Sequence, residues 1–422
     1  MLRVMMSGLI ASLVLGCAPD LVPGRYGCET DSECPDEWVC GFDERCYPRG
    51  QDPDGGTPML DAGPDPVDAG PDPVDGGPDT GPPCEPRPVN VDLLLMIDQS
   101  GSMAQAQQLL REALGPFIEA LAAGDLNQDG IRDFPAVESL QIGVITSDLG
   151  DYGAGNATCS PMGDDGVLLT EHRGDVSGCA PSGYAPVQEY VRGEPRDVFV
   201  NNVECLSTVG INGCGYEQQL DAVLKSLTPS ESTIEFHNGL AGHGTVANAG
   251  FLRDDSVLVT LLVTDEDDCS THNAELFDRD RLEFGALNQR CFNNPSELLP
   301  TSRFSAGLLA LRDAPEDLIF AGIIGAPSTA PLLTPAQLLA DPAMSQSWPE
   351  GQGRMTPACM RAGVQGDPGR RYVQVAQEID AAGGNVTIHS ICEPSFSGVS
   401  IALLQRLAPR LRARSCEPEP ME

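Results

Sequence analysis

Five short apolar runs, set apart by amphipathic stretches, limit what this chain can fold into more than any other feature. They are VDLLLMI (91–97), LQIGVIT (140–146), VLVTLLV (257–263), LIFAGII (318–324) and NVTIHSI (385–391). Each is apolar on both parities, which suits a strand covered on both faces, as in a parallel sheet. Between the runs lie helix-like stretches: AQAQQLLREALGPFIEALAAG, YEQQLDAVLKSL, RFSAGLLALRDA and RRYVQVAQEIDAAGG. A last one, GVSIALLQRLAPRLRAR, follows the fifth run. Strand, helix, strand in repetition predicts an α/β domain with a doubly wound, mostly parallel sheet over residues 85–416. That span is large for one sheet, so the Gly- and Cys-rich segments 150–215 and 268–300 are expected to be loop insertions.

Charge excludes one class of partner. Asp and Glu outnumber Lys and Arg 62 to 25, for a formal charge of −37. A phosphate backbone would be repelled over most of such a surface, so nucleic acid is not expected to bind.

The first residues speak to compartment. Arg3 precedes the apolar run VMMSGLIASLVLG, which is too short to span a bilayer and ends at Cys17. That is the pattern of a secretory signal. Its closing VLGC resembles a bacterial lipobox, which implies a lipoprotein signal peptide over 1–17 and lipid on Cys17. An ordinary cleaved signal with a chance cysteine is the alternative. Fifteen cysteines less Cys17 leave an even fourteen, as suits an oxidised exported chain.

Two further segments precede the domain. In residues 27–49, Cys28, Cys34, Cys40 and Cys46 recur with five residues between neighbours. So short a piece cannot bury enough surface to fold alone, which predicts two disulfides in any of three pairings. Zinc is disfavoured, because no C-x2-C spacing or nearby histidine is present. The module is similar to small C-x-x-D-x-x-C repeats of bacterial surface lipoproteins. Residues 50–84 repeat Asp, Pro, Gly and Ala, and read as an extended, solvated linker.

The candidate site lies where the first strand ends. In an open α/β sheet, ligands bind outside the carboxyl ends of the strands. Asp98, Ser100 and Ser102 fall there, and Asp265 ends the third run, beside them if the two strands are neighbours. A carboxylate with two hydroxyls is a hard oxygen set, suited to Mg²⁺, Ca²⁺ or Mn²⁺.

DQSGS after an apolar strand, with a strand-ending TD in LLVTDEDD, resembles the von Willebrand factor A domain. The resemblance covers roughly residues 88–415. It implies a metal-ion-dependent adhesion site built on Asp98, Ser100, Ser102 and Asp265, with the serines on the ion and the aspartates acting largely through water. It also implies a role: the ion grips a carboxylate presented by a partner protein. The threonine expected before a later helix is replaced. The corresponding stretch reads STVGINGCGYEQQLDAV and puts Glu217 near the ligand position, with Thr208 further upstream. Glu217 either completes the site, favouring Ca²⁺, or serves the first turn of its helix.

Other motifs carry less. In DLNQDGIRD, Asp125, Asn127, Asp129 and Asp133 sit at positions 1, 3, 5 and 9 of an EF-hand-like calcium loop, with Gly130 at position 6. Position 12 is Ala136, so the bidentate glutamate is missing, and a turn rich in Asp, Asn and Gly is the alternative. Glu266, Asp267 and Asp268 read as a solvated loop anchored by Cys269, or as a deepening of the field around the ion. His389 reads as a core or edge residue. A haloacid-dehalogenase-like phosphatase would need an acid/base aspartate where Ser100 stands. The expectation is therefore not an enzyme. It is an exported protein, lipid-anchored in a bacterial envelope at the outer membrane or cell surface, whose A-type domain binds a divalent cation and, through it, a protein. A metal-independent structural envelope lipoprotein is the alternative.

Overall fold

The computed structural model describes residues 84–157, 159–174, 176–351, 353–361 and 363–416, with strand residues 38–40 and 46–48. The chain divides into two units, Met1–Thr80 and Gly81–Glu422. In the first, β1 (Trp38–Cys40) pairs antiparallel with β2 (Cys46–Pro48), setting Cys40 opposite Cys46. Cys17, Cys28, Cys34 and most of the Asp/Pro/Gly-rich segment lie outside the described residues.

The second unit is built on one six-stranded sheet. Its strands are β3 (Asn90–Ile97), β4 (Ser139–Thr146), β5 (Gln188–Val191), β6 (Val257–Val263), β7 (Leu318–Ile324) and β10 (Asn385–Ser390). Their spatial order is β10-β7-β6-β3-β4-β5, all parallel except the edge strand β5, which runs antiparallel to β4. A small hairpin, β8 (Cys359–Arg361) with β9 (Val364–Gly366), stands apart from the sheet. The helices are α1 (Ala104–Ala123), α2 (Asp197–Leu206), α3 (Gln219–Leu227), the single turn α4 (Arg290–Asn293), α5 (Thr301–Leu309), α6 (Pro335–Ala340), α7 (Arg370–Ala381) and α8 (Ser397–Ser415).

Both faces of the sheet are covered except at edge strand β5, which is why the inner strands are mostly apolar on both parities. Leu93, Leu95 and Ile97 of β3 pack among side chains of α1, α2 and α8. Leu94 and Met96 of the same strand pack on the other side with α3, α5 and α7. Each such buried side chain contributes about 1.5–3 kcal/mol. α1 buries one stripe, including Leu110, Leu114, Ile118 and Leu121, and stops at Gly124. Gly124 has φ +74°, and a β-carbon there would lie 2.2 Å from the Phe134 carbonyl oxygen, so the turn into β4 requires glycine.

The segment 150–215 is more than the expected insertion, for it carries β5 and α2. β5 reads QEYV, with alternate residues buried and exposed. An edge strand covered on one face lacks the both-parity signature of the others. The segment 268–300 does behave as an insertion, made of short turns and α4. Among the described residues ten cysteines form five disulfides. Cys159–Cys214, Cys179–Cys205 and Cys269–Cys291 close those two segments, and Cys359–Cys392 ties the hairpin to the end of β10. Cys84–Cys416 instead joins the two ends of the domain, 332 residues apart.

The chain fills the sheet outward from β3 to β4 and β5, then returns to start β6 on the other side of β3. The β3–β6 boundary is the topological switch point, and the cleft outside its carboxyl ends is where such sheets receive ligands.

Candidate metal centre

Ile97 and Val263 are the last paired residues of β3 and β6, and the Asp98 amide donates to the Val263 carbonyl at 3.0 Å. This register sets Asp98 against Thr264 and Asp265. Asp98 is fully buried. Its Oδ1 accepts from the Ser100 amide at 2.6 Å, and its Oδ2 accepts from Thr264 Oγ1 at 2.7 Å. Ser100 and Ser102 hydroxyls lie 3.0 Å apart in the turn that opens α1, and Ser102 hydrogen-bonds the Asp265 carboxylate. Ser102 is exposed, which gives the cluster an open side.

Glu217 completes the group. Helix α3 begins at Gln219 with Gln218 as its cap, so Glu217 lies just before the first turn; its Oε2 accepts from Gln219 Nε2 at 3.5 Å and its carboxyl lies close enough to Asp98 to feel its charge. Thr208, by contrast, follows α2 and gives its hydroxyl to the Glu204 carbonyl. The loop between them still frames the site. The Gly213 amide donates to the Gln99 carbonyl, and Gln107 Nε2 bridges the carbonyls of Asp98 and Gly210. A β-carbon at Gly213 would lie 2.1 Å from Gln99 Cγ, so the loop's approach depends on that glycine.

Three carboxyls in one dry corner oppose one another. Burial raises Asp98 above the ordinary carboxylate range. Burial, then the Asp98, Glu266 and Asp265 charges, push Glu217 well above it. Burial and the Asp98 charge bring Asp265 up to about 7. Asp265 Oδ1 and Glu217 Oε1 are buried without a hydrogen-bond partner. Unsatisfied buried oxygens of this kind are costly, and a cation supplied from outside relieves both them and the repulsion. The donor set is all oxygen and so fits Mg²⁺, Ca²⁺ or Mn²⁺. Among the described residues no three His, Cys, Asp or Glu side chains converge to hold an ion by themselves. Any ion here depends on the serine hydroxyls.

Thr264 and Gln219 are parts that sequence reasoning missed. Thr264 Oγ1 joins Asp98, the Glu266 amide and Gln219 Nε2. The only sequence signal was its place between an apolar strand and Asp265. The acidic run after Asp265 is solvated at Glu266 but held by the protein beyond it. Asp268 is 1% exposed and accepts from the Leu220 amide, Ser270 Oγ and Arg371 Nε. Asp267 accepts from the Arg371 amide and Gln346 Nε2. Arg371 opens α7, far along the chain, so nothing local announced the pairing.

The EF-hand-like loop joins α1 to β4. Asp125 accepts from the amides of Asp129 and Gly130, Asp129 from that of Ile131, and Asp133 from that of Leu126. Asn127 accepts from the Asp129 amide and donates to its carboxylate. The four side chains are thus drawn into one turn and bond mainly its own amides. His389 is buried in β10, between Thr387 and Glu393.

No known protein-family profile matches the sequence, and no curated protein matches it. Solved structures match weakly. Proximal thread matrix protein 1 of the mussel byssus is 12% identical over 57% of this chain and 39% of its own, with a TM-score of 0.27. A von Willebrand factor type A protein from Catenulispora acidiphila is 12% identical over 78% and 43%, with a TM-score of 0.27. The human COPII-coat protein Sec24c is 11% identical over 77% and 33%, with a TM-score of 0.30. The chain spans under half the length of each.

Proposed function

We propose that the switch-point cleft holds a divalent cation, Mg²⁺, Ca²⁺ or Mn²⁺, on Ser100, Ser102, Asp98 and Asp265, with Glu217 as a further ligand. On this reading the domain is of the von Willebrand factor A type and binds a partner protein through a carboxylate on the ion. The observation that carries it is the pair of orphaned buried oxygens, Asp265 Oδ1 and Glu217 Oε1, beside Asp98 and two hydroxyls at a strand end. The hydroxyls bring no charge, but Asp98, Asp265 and Glu217 fully ionised would outweigh the ion's two charges. An external carboxylate is therefore attracted only where Glu217 keeps its proton, the direction in which its burial and acidic neighbours push it. An ionised Glu217 would hold the ion more tightly and favour Ca²⁺ over Mg²⁺. The Asp98 carboxyl is sealed from solvent and held by an amide and a hydroxyl, which suits a ligand and not a nucleophile.

The test is calorimetric titration of the full-length protein with CaCl₂ and MgCl₂, beside a Ser100→Ala/Ser102→Ala double variant. Affinity should fall at least tenfold in the variant, about 1.4 kcal/mol; equal affinity would remove the proposal. The location of the protein is part of the same reading: exported, anchored by lipid on Cys17 in a bacterial envelope, with the A-type domain beyond the acidic linker. Detergent partition of wild type against Cys17→Ser tests the anchor.

A further inference from the structure

A cavity of about 440 Å³ opens beside the oxygen cluster and shares Glu217 with it. Both carboxylates and aromatic rings line it. Glu217, Glu266 and Asp367 supply the first; Tyr216, Phe292 and Trp348 supply the second. The Phe292 and Trp348 rings stand 6.3 Å apart, tilted by 37°.

The charges of this cavity do not cancel. Arg370 donates to the carbonyls of Leu339 and Met344, and Arg371 to Asp268 and the Leu299 carbonyl. Asp267 and Asp268 are occupied by amides and by Arg371 and Gln346. What is left is Glu217, Glu266 and Asp367, the last met by the Gln365 side chain and the Arg354 charge. Among the described residues Glu217 and Glu266 make no ion pair. Glu217 is 3% exposed, and its Oε1 has no hydrogen-bond partner.

A small cavity lined by both carboxylates and aromatic rings selects one chemistry. An anion is repelled, and a neutral apolar molecule leaves the carboxylates without donors. An ammonium or guanidinium satisfies the acids while the rings hold its stem and its charge. The volume lies within the range of small-ligand pockets, roughly 300–1,000 Å³. We propose that this cavity binds an organic cation: a primary ammonium or guanidinium on an apolar stem. The proposal does not rest on the metal reading: Glu217 Oε1 can serve only one of the two ligands, so the organic cation is proposed for the cavity in the absence of the ion.

The chain has two tryptophans, Trp38 and Trp348. In a full-length Trp38→Phe protein, Trp348 is therefore the sole indole reporter. Its fluorescence would be titrated in EDTA, at constant ionic strength, with n-butylammonium, spermidine and the peptide acetyl-Gly-Lys-Gly-amide. Butanol and the norleucine peptide serve as neutral counterparts. A saturable change is expected with the cations alone, weakened about tenfold or more in Glu266→Gln/Asp367→Asn. A response to the lysine peptide identifies a protein side chain as the source of the cation; a response to free amines alone identifies a small molecule. Either supports the proposal. Equal responses to neutral counterparts, or undiminished affinity in the double variant, would overturn it. Should that variant not fold, Phe292→Ala takes its place, with a loss of about threefold or more expected and unchanged affinity counting against. Titration in EDTA keeps this outcome separate from that of the ion.

Discussion

The two ends of the same sheet handle buried acid in opposite ways. At the amino end, Asp92 is fully buried, and Arg253 meets it with its backbone amide and guanidinium while Ser256 adds a hydroxyl at 2.6 Å. Asp317, just before β7, is gripped by Arg410 at 2.8 Å and Arg414 at 3.1 Å, and Arg414 also pairs with Asp255. At the carboxyl end Asp98, Asp265 and Glu217 are equally buried, yet among the described residues none pairs with a cation. Arginine reaches Asp268, three residues beyond Asp265, but Asp98, Asp265 and Glu217 themselves receive none. On the proposed reading these three acids take their counter-charge from an ion.

The comparison breaks first at the amino end if it is wrong. Arg253→Met leaves Asp92 buried and unpaired, which should cost about 3–5 kcal/mol in urea unfolding. A loss under about 1 kcal/mol would mean that the pair is not structural. The same end is closed covalently by Cys84–Cys416. Replacing both by serine should cost roughly 2–4 kcal/mol, mostly through the freed unfolded chain. At the carboxyl end the sign reverses. Asp265→Asn removes one of three like charges, so without divalent ions it should unfold no earlier than wild type. Wild type should gain about 2.7 kcal/mol at an ion concentration a hundred times Kd, and Asp265→Asn should gain none. Melting curves with CaCl₂ and with EDTA decide it; an equal gain in both proteins would abolish the distinction between the ends.

How much of this was legible follows from which residues carry their own signal. The five buried strands were visible because both faces are covered, so apolar residues fall on both parities. β5 was not, since a four-residue edge strand alternates and its partner β4 lies far back in the sequence. Asp98, Ser100 and Ser102 were legible as a local string, and Asp265 as a strand end. Their meeting depended on β6 pairing with β3, which a doubly wound order made natural. Glu217 was placed by counting along the loop, but its contact with Asp98 is tertiary. Asp267 and Asp268 were misread because most of their donors lie far along the chain, Arg371 on α7 about a hundred residues away, Gln346 and Leu220. Disulfide partners were invisible for the same reason, and Cys84–Cys416 could not be inferred from spacing at all.

The smallest predicted effect tests an acid that lies near the carboxyl end yet has partners. Asp165 follows β4, next to Asp164, which accepts from Thr146 Oγ1 at 2.6 Å. Lys225 and His243 meet its two oxygens, His243 at 2.8 Å. Burial works to raise its pKa, but these hydrogen bonds and charges outweigh it and hold Asp165 below the usual carboxylate range. A lowered carboxylate contributes stability above its unfolded value, about 3.9, and loses it as pH falls through the folded one. His243→Gln should therefore cost about 0.5–1.5 kcal/mol at neutral pH. The gap from wild type should close as the solution is acidified below about pH 4. Chemical denaturation at a series of pH values reads that gap. If it persisted unchanged in acid, the Asp165 carboxylate would not be what His243 stabilises, and partnered acid at this end would need another account.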